Sequence, residues 1–380
     1  MTSAGVVVVG ASAAGVAAAE AARRAGFEGS IKIIGDESHP PYTRPALSKA
    51  LLCGTEDAES VHLPSSEDGI EFLAGHVAVG LDRDRKRVLI SDGEAIEYSG
   101  VVIASGARAR RIRPHATAGE IVLRSLDDAI RLRTEIQGAR SALVIGGGFI
   151  GTEVASACIA AGVATTVVSR HDGLAPQLGP DLSGMITRAA AKAGLVRAAT
   201  PRQMRLVGGD RVSGLVMSDG SVSVADVVVT AIGCRPNIEW LRESGLALVG
   251  GVVVDEHCRA GSDIVAAGDV ARVRGSRTLA PRTPFWTAAL EQARIAGENL
   301  ISGDSVKSYV SAPFYWTEAF GLAITVCGPI PASGVLETLA GDLLGGEGLF
   351  RWRSEQGITV AAINHRISVR KLRALTRESD

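Results

Sequence analysis

Val6-Val7-Val8-Val9-Gly10-Ala11-Ser12-Ala13-Ala14-Gly15 and Leu143-Val144-Ile145-Gly146-Gly147-Gly148-Phe149-Ile150-Gly151 carry one pattern twice: a short apolar strand, a glycine turn and the start of an alanine-rich helix. After the first turn, a helix is expected to about Ala25 and a second strand over Ile31–Ile34. After the second, a helix from about Phe149 to Ala161 and a strand over Thr165–Val168 complete the same βαβ unit. Such a turn aims backbone N–H groups from a helix N-terminus, where unsatisfied donors and the helix dipole favour phosphate. Two copies predict two bound nucleotides.

The residues after each second strand separate the two sites. Gly35-Asp36-Glu37 places carboxylates 21 and 22 residues after Gly15, where a strand end reaches ribose hydroxyls. This first turn has Ser12 at the middle glycine, the point of closest approach to a pyrophosphate, and the smallest hydroxylated side chain stands there. The second turn is complete at Gly146, Gly148 and Gly151, yet its strand ends in Ser169-Arg170-His171. A carboxylate repels a 2′-phosphate, whereas Arg170 and a donating His171 welcome one. The first site is therefore expected to hold an unphosphorylated adenosine, as in FAD, and the second to prefer NADPH, with NADH possible. Hydride transfer from a nicotinamide to a flavin is the simplest chemistry that needs both.

With 380 residues, 46% of them apolar, the chain can build two or three folded domains. Aromatics are only 4% and Gly numbers 45, so the core must come from Ala, Val, Leu and Ile, which suits helices packed on parallel strands. A net charge of −1 argues against nucleic acid as the partner. The five cysteines, Cys53, Cys158, Cys234, Cys258 and Cys327, form no Cys-x-x-Cys pair and have no His at ligand spacing, so no metal site is expected. Met1-Thr2-Ser3-Ala4-Gly5 runs into a strand without a basic region, and no apolar run spans a membrane; the expectation is a cytoplasmic protein.

Between the units, Arg44-Pro45-Ala46-Leu47-Ser48-Lys49 opens a short helix, Arg87–Ile90 and Ala95–Tyr98 read as a hairpin, and Val101–Ile103 ends in Ala104-Ser105-Gly106. Arg108 to Pro114 reads as a linker. After a second hairpin, Gly214–Met217 with Val222–Val224, strand Val227–Ala231 runs to Gly233. Strand Ile264–Ala267 ends in Gly268-Asp269, and helix Ala288–Leu300 follows Pro284-Phe285-Trp286. Asp269 reads equally as a ligand carboxylate at a strand end or as a helix N-cap. Taken alone, Arg44 and Lys49 read as surface charges at a helix start. Beyond Tyr309 come short strands and a basic final segment with Arg366, Arg370, Lys371, Arg373 and Arg377, either a solvated face or a surface that steers an acidic partner.

These segments resemble the FAD-dependent pyridine nucleotide oxidoreductases, and among them the ferredoxin and rubredoxin reductases that serve oxygenases and cytochromes P450. The resemblance covers nearly the whole chain. Arg44 to Lys49 after Gly35-Asp36-Glu37 is its most specific element; Leu123 to Ala129, Ile145 to Glu153, Ala266 to Asp269, Ala289 to Ala293 and Pro313 to Trp316 are the others. It implies two Rossmann-like, glutathione-reductase-like dinucleotide-binding domains and a smaller α+β C-terminal domain. Residues 1–113 with 236–308 form the FAD-binding domain, 114–235 the NAD(P)H-binding domain and 309–380 the interface domain. Gly10, Ala14, Gly15, Asp36 and Glu37 are implied at the adenosine and pyrophosphate of FAD. Arg44, Lys49, Val77, Arg124 and Asp269 are implied along its ribityl, phosphate and flavin parts, and Trp286 offers a backbone N–H to the pyrimidine. Lys49 and Glu153 resemble an ion pair beside the flavin, and Trp316 stands where electrons leave. Three departures mark this chain: Trp316-Thr317-Glu318-Ala319 in place of Trp-Ser-Asp-Gln, a short C-terminal domain, and Ala175 where a second arginine is expected.

The resulting expectation is an NAD(P)H-dependent ferredoxin reductase, a monomer or weak dimer, that passes hydride to FAD and single electrons to an iron–sulfur protein. A disulfide or peroxide reductase needs a reactive cysteine, for which Cys53 is the candidate near Lys49, although a buried structural thiol is the expectation there. A NAD(P)H-sensing flavoprotein and a flavin monooxygenase are two further rivals.

Overall fold

The computed structural model describes residues 4–64, 69–113, 117–171, 173–200, 203–275, 282, 284–303 and 307–377. Met1 to Ser3 and Pro114, the expected end of a linker, lie outside the described residues. The chain folds as two compact units. The first comprises Met1–Thr43, Val61–Arg108 and Arg235–Ser311; the second comprises Arg44–Ser60, Ala109–Cys234 and Ala312–Asp380.

In the first unit the strands Ile70–Ala74, Ile31–Gly35, Gly5–Val9, Ala95–Ile103 and Ile264–Ala266 lie side by side and parallel in that order. Parallel strands are covered on both faces, and the alternation here shows it. Val6, Val8, Ile31, Ile33 and Val265 pack with the helix Ala13–Arg24, while Val7, Val9, Ile34, Val101 and Ile103 pack on the opposite face. The alanine-rich composition has a direct cause in the helix layer. A Cβ at Gly297, in the helix Trp286–Ile301, would lie 2.1 Å from the carbonyl oxygen of Ala18. The two helix backbones nearly touch, and only small residues permit that.

Two sequence expectations change here. Ala95–Tyr98 and Val101–Ile103 are one continuous strand, Ala95–Ile103. Its first half pairs antiparallel with Arg87–Ile90, and its second half is sandwiched between parallel neighbours, so its side-chain pattern switches from alternating to wholly buried. The helix after Pro284 begins at Trp286, two residues earlier than its apolar pattern suggests.

The second unit repeats the plan with strands Val196–Ala199, Ala164–Ser169, Ser141–Ile145, Val227–Thr230 and Glu120–Ile121. It also holds the short segments Arg44–Ser48 and Ala50–Cys53. The C-terminal part of this unit is an antiparallel sheet, with strands in the order Phe314–Ala319, Leu322–Cys327, Gly357–Ile363, Glu347–Ser354 and Val335–Asp342, followed by the helix Val369–Ala374. Among the described residues no helix is long and apolar enough to cross a membrane.

The close helix crossing makes a pair of glycine substitutions diverge. Gly297→Leu is expected to destabilise the protein by about 3 kcal/mol through overpacking. Gly138→Ala, at φ −99° with nothing within 4 Å of its added Cβ, should instead stabilise by about 0.5 kcal/mol. Thermal unfolding midpoints shifted in opposite directions support this packing; equal midpoints contradict it.

Candidate functional site

The two glycine turns are built on the same atomic constraints. Gly10 has φ +125°, and a Cβ there would lie 2.1 Å from the Ala104 carbonyl oxygen; a Cβ at Gly15 would lie 1.9 Å from the carbonyl oxygen of Gly10. In the second unit Gly146 has φ +116°, and its Cβ would lie 2.2 Å from the Ala231 oxygen, with that of Gly151 1.9 Å from the oxygen of Gly146. Each outer glycine lets a helix lie against its own turn, and each inner one lets the turn lie against a neighbouring strand end. The middle position differs. A Cβ at Gly148 would meet nothing within 4 Å, so no protein atom demands glycine there. Ser12 occupies the matching N-cap position in the same extended backbone region.

Both cradle helices lack acidic residues in their first turns. The helix Leu126–Gln137 is the internal contrast, with Asp127 and Asp128 in its first turn and a reciprocal capping box between Ser125 and Asp128. That structural helix satisfies its own N-terminus, whereas the cradle helices carry no acid and no side-chain cap hydrogen bond at theirs, an arrangement suited to an anion. The residues present therefore fit dinucleotide phosphates.

In the first unit the ends of the parallel strands gather the remaining candidates. Val9 is in register with Ile34, so Asp36 and Glu37 follow at the edge that carries Gly10. Asp36 is exposed, and Glu37 Oε2 accepts the Tyr42 hydroxyl at 2.5 Å. The Gly35 and Glu37 carbonyls accept the N–H groups of His76 and Gly75, which brings exposed Val77 to the same edge. Gly268 donates its N–H to Gln292 Oε1 at 3.0 Å and opens the short turn holding half-buried Asp269. Trp286 starts its helix, with Phe285 as N-cap. Ser105 and Gly106 take a different part: the Ser105 hydroxyl donates to the Asn237 carbonyl at 2.8 Å, and the Gly106 carbonyl accepts the Asn237 N–H.

In the second unit Arg170 and His171 are exposed at the end of strand Ala164–Ser169. The Ser169 hydroxyl donates to the His171 carbonyl at 2.8 Å, and Arg197 Nη2 donates to the same carbonyl at 2.9 Å. Gly233, at φ +93°, accepts the Arg110 N–H. Ile150 is exposed on the cradle helix. Arg44 donates to the Arg124 carbonyl at 2.6 Å.

The most constrained polar group in this unit is Glu153, which is 3% exposed. Its carboxylate meets Lys49 Nζ at 2.8 Å and accepts hydroxyl hydrogens from Ser48 at 2.5 Å and Thr317 at 2.7 Å. Periodicity explains how this comes about. Phe149, Glu153 and Ser156 lie along one face of the cradle helix, meeting in turn the Tyr315 ring edge-on at 5.7 Å, the Thr317 hydroxyl and the Phe320 N–H. Lys49 lies at the junction between the Arg44–Ser48 turn and the helix Ala50–Cys53, and its Nζ stands 5.9 Å from the Trp316 ring centroid.

Residues 4–293 match the family described as pyridine nucleotide-disulphide oxidoreductase. The chain belongs to that family. It is 36% identical over 334 residues to rhodocoxin reductase of Rhodococcus erythropolis, covering 85% of this chain and 78% of that protein. It is 33% identical over 372 residues to the ferredoxin–NAD(+) reductase component of the biphenyl dioxygenase system of Paraburkholderia xenovorans strain LB400, covering 94% and 88%. A chain of the solved covalent putidaredoxin reductase–putidaredoxin complex aligns with a TM-score of 0.87 at 28% identity, covering 99% of this chain and 93% of that one. The mixed α/β fold with parallel Rossmann-like sheets is the FAD- and NAD-binding fold of these reductases. The family uses FAD and NAD(P)H.

One expectation is corrected. Cys53, expected as a buried structural thiol, is exposed. It is the last residue of a one-turn helix that buries only Leu51 and Leu52. Partial desolvation, then the carboxylates Glu318 and Glu153, hold its thiol above the ordinary value, which opposes thiolate formation. Sequence reading also misses Ser48, Thr317 and Arg197. Thr317 and Arg197 lie 164 and 26 residues from the groups they meet, and local patterns do not reach that far.

Because Glu153 is buried, losing one donor leaves part of its carboxylate unsatisfied. Thr317→Val is expected to cost about 1–3 kcal/mol, while Thr317→Ser, which keeps the hydroxyl, should cost much less. Urea unfolding of the two variants measures the difference, and equal costs would remove the hydrogen bond as the cause.

Proposed function

We propose that the chain is an NAD(P)H-dependent reductase that passes electrons through FAD to a ferredoxin-type iron–sulfur protein feeding an oxygenase or a cytochrome P450. The observation that carries this reading is the pair of glycine cradles with matching constraints, one followed by Asp36-Glu37 and the other by Ser169-Arg170-His171. The names of its relatives, rhodocoxin reductase and the ferredoxin–NAD(+) reductase component of a dioxygenase system, support the same class.

The first cradle holds the FAD pyrophosphate at Gly10, Ser12, Ala14 and Gly15, with Asp36 and Glu37 on the adenosine ribose. Bound FAD supplies the conversion of a two-electron hydride into the single electrons that an iron–sulfur centre accepts. Gly146, Gly148, Ile150 and Gly151 hold the second dinucleotide. Glu153 holds Lys49 Nζ in place, which makes this cation a fixed positive charge of the kind that would stabilise an anionic reduced cofactor. Ser48 and Thr317 fix the carboxylate in turn, so the cation is positioned before any ligand arrives. The chain's work is binding, orientation and charge placement, without an acid–base pair.

NADPH is the preferred donor in this reading. Relatives such as the ferredoxin–NAD(+) reductase component of the biphenyl dioxygenase system are named for NAD(+), yet here the strand end offers Arg170 and His171 to a 2′-phosphate, with Arg197 bracing the His171 carbonyl. Arg170→Glu is expected to lower the NADPH-to-NADH ratio of kcat/KM by about tenfold to a hundredfold, the worth of one charge-assisted hydrogen bond. A wild type that strongly favours NADH overturns the Arg170 assignment. NADPH oxidation coupled to reduction of a [2Fe–2S] ferredoxin tests the function itself, and turnover confined to disulfides or peroxides refutes it.

The raised Cys53 thiol argues against a disulfide or peroxide reductase. Cys53→Ser should leave NADPH-driven ferredoxin reduction within about twofold of wild type; abolished turnover would favour a thiol mechanism instead.

A further inference from the structure

Arg197 lies in the strand Val196–Ala199, in register with Val167 and so two residues short of the strand end that carries Ser169-Arg170-His171. Its side chain reaches that end and engages it with both arms of the guanidinium. Nη2 donates to the His171 carbonyl at 2.9 Å and to the Ser169 hydroxyl oxygen at 3.4 Å, while Nη1 donates to the Thr187 hydroxyl oxygen at 3.2 Å. The Ser169 hydroxyl in turn donates to the His171 carbonyl at 2.8 Å. Thr187 belongs to the helix Pro180–Lys192, so one half-buried cation ties two strands and a helix within the second unit.

The groups around this cation border the second glycine turn. A Cβ at Gly147 would lie 2.8 Å from Ser169 Cβ, so the strand end rests directly on the cradle. A Cβ at Gly173, with φ +55°, would lie 3.1 Å from the Thr187 hydroxyl oxygen and 3.2 Å from that of Ser183, so Gly173 returns to the same helix. Arg170 and His171 are exposed between these two anchored points. Bare acceptors at this edge, the Ser169 oxygen and the His171 carbonyl, would repel a phosphate. Arg197 Nη2 donates to both, which offsets that repulsion and fixes the backbone beside the two exposed side chains. A planar guanidinium can hold groups on two sides at once, whereas an ammonium is a single point.

We propose that Arg197 is a positioning residue that sets the dinucleotide preference of the second cradle. It occupies the acceptors of the strand end and fixes the backbone of Arg170 and His171, the side chains read as donors to a 2′-phosphate. This deepens the NADPH reading of that cradle and rests on it. Donors fixed before binding spare the ordering cost that a loose strand end would carry. The effect therefore falls on affinity for the 2′-phosphate, and so on the KM for NADPH more than on kcat.

The test is calorimetric titration of the FAD-loaded full chain with adenosine 2′,5′-bisphosphate and with AMP, which lacks the 2′-phosphate, beside kcat and KM for NADPH and NADH. Arg197→Met is expected to weaken the bisphosphate about tenfold and AMP by less than about twofold, with a matching rise in the NADPH KM. Arg197→Lys keeps the charge without the fork and should lose most of the same preference; full retention by lysine overturns the brace. Thr187→Val removes the partner of Nη1 at nearly constant volume and should shift the preference in the same direction by about threefold, which carries the test if Arg197→Met fails to fold. Arg188→Met, which removes an exposed arginine from the same helix, is the control for charge at a distance. An equal loss in that control, or equal weakening of both ligands in the Arg197 and Thr187 variants, overturns the selective role. A wild type that binds the bisphosphate no tighter than AMP and favours NADH refutes the NADPH reading instead, before any variant is compared.

Discussion

The contact on which most of this architecture depends is the approach of a helix to its own preceding turn, fixed at Gly15 over the Gly10 carbonyl and at Gly151 over that of Gly146. A side chain at either outer glycine would push the helix away from the sheet and turn its N-terminus from the strand ends. The same closeness forces small residues into the next layer, where Gly297 lies against the Ala18 backbone. The alanine-rich, aromatic-poor composition is thus a packing requirement that begins at the phosphate cradle. Where the protein's own atoms demand no glycine, at Gly148, the first cradle carries Ser12 instead.

Glu153 poses the opposite problem, a charge taken almost wholly out of water. An isolated buried carboxylate is costly, and a buried ion pair by itself barely recovers that cost. Here two hydroxyls as well as the ammonium group satisfy the oxygens. Such a group has little freedom to reorient, and Lys49 is held with it. The arrangement trades adaptability for a fixed positive charge, which suits a site where the chemistry belongs to a cofactor and the protein provides the field.

The legible parts of this structure are those whose causes are local. The βαβ units, both cradles and the acids after Ile34 follow from strand periodicity and glycine spacing within about 35 residues. The strand Ala95–Ile103 reads as two pieces because its halves obey different neighbours, one antiparallel and one sandwiched. Cys53 misleads for a related reason: four apolar letters, Ala50-Leu51-Leu52-Cys53, look uniformly buried, yet a single helical turn can hide only one side. Glu153 is recognisable through resemblance to relatives, but its partners Ser48 and Thr317 are not, since hydroxyls at such separations leave no periodic trace.

The division between legible and hidden follows the division between binding and selection. Phosphate recognition uses backbone N–H groups, whose placement needs glycine and therefore marks the sequence twice. Discrimination between dinucleotides, in the proposed reading, uses side chains at strand ends, where many residues are sterically tolerated. Arg170 and His171 are exposed at such a strand end, so the proposed preference for NADPH rests on side chains that backbone packing does not mark.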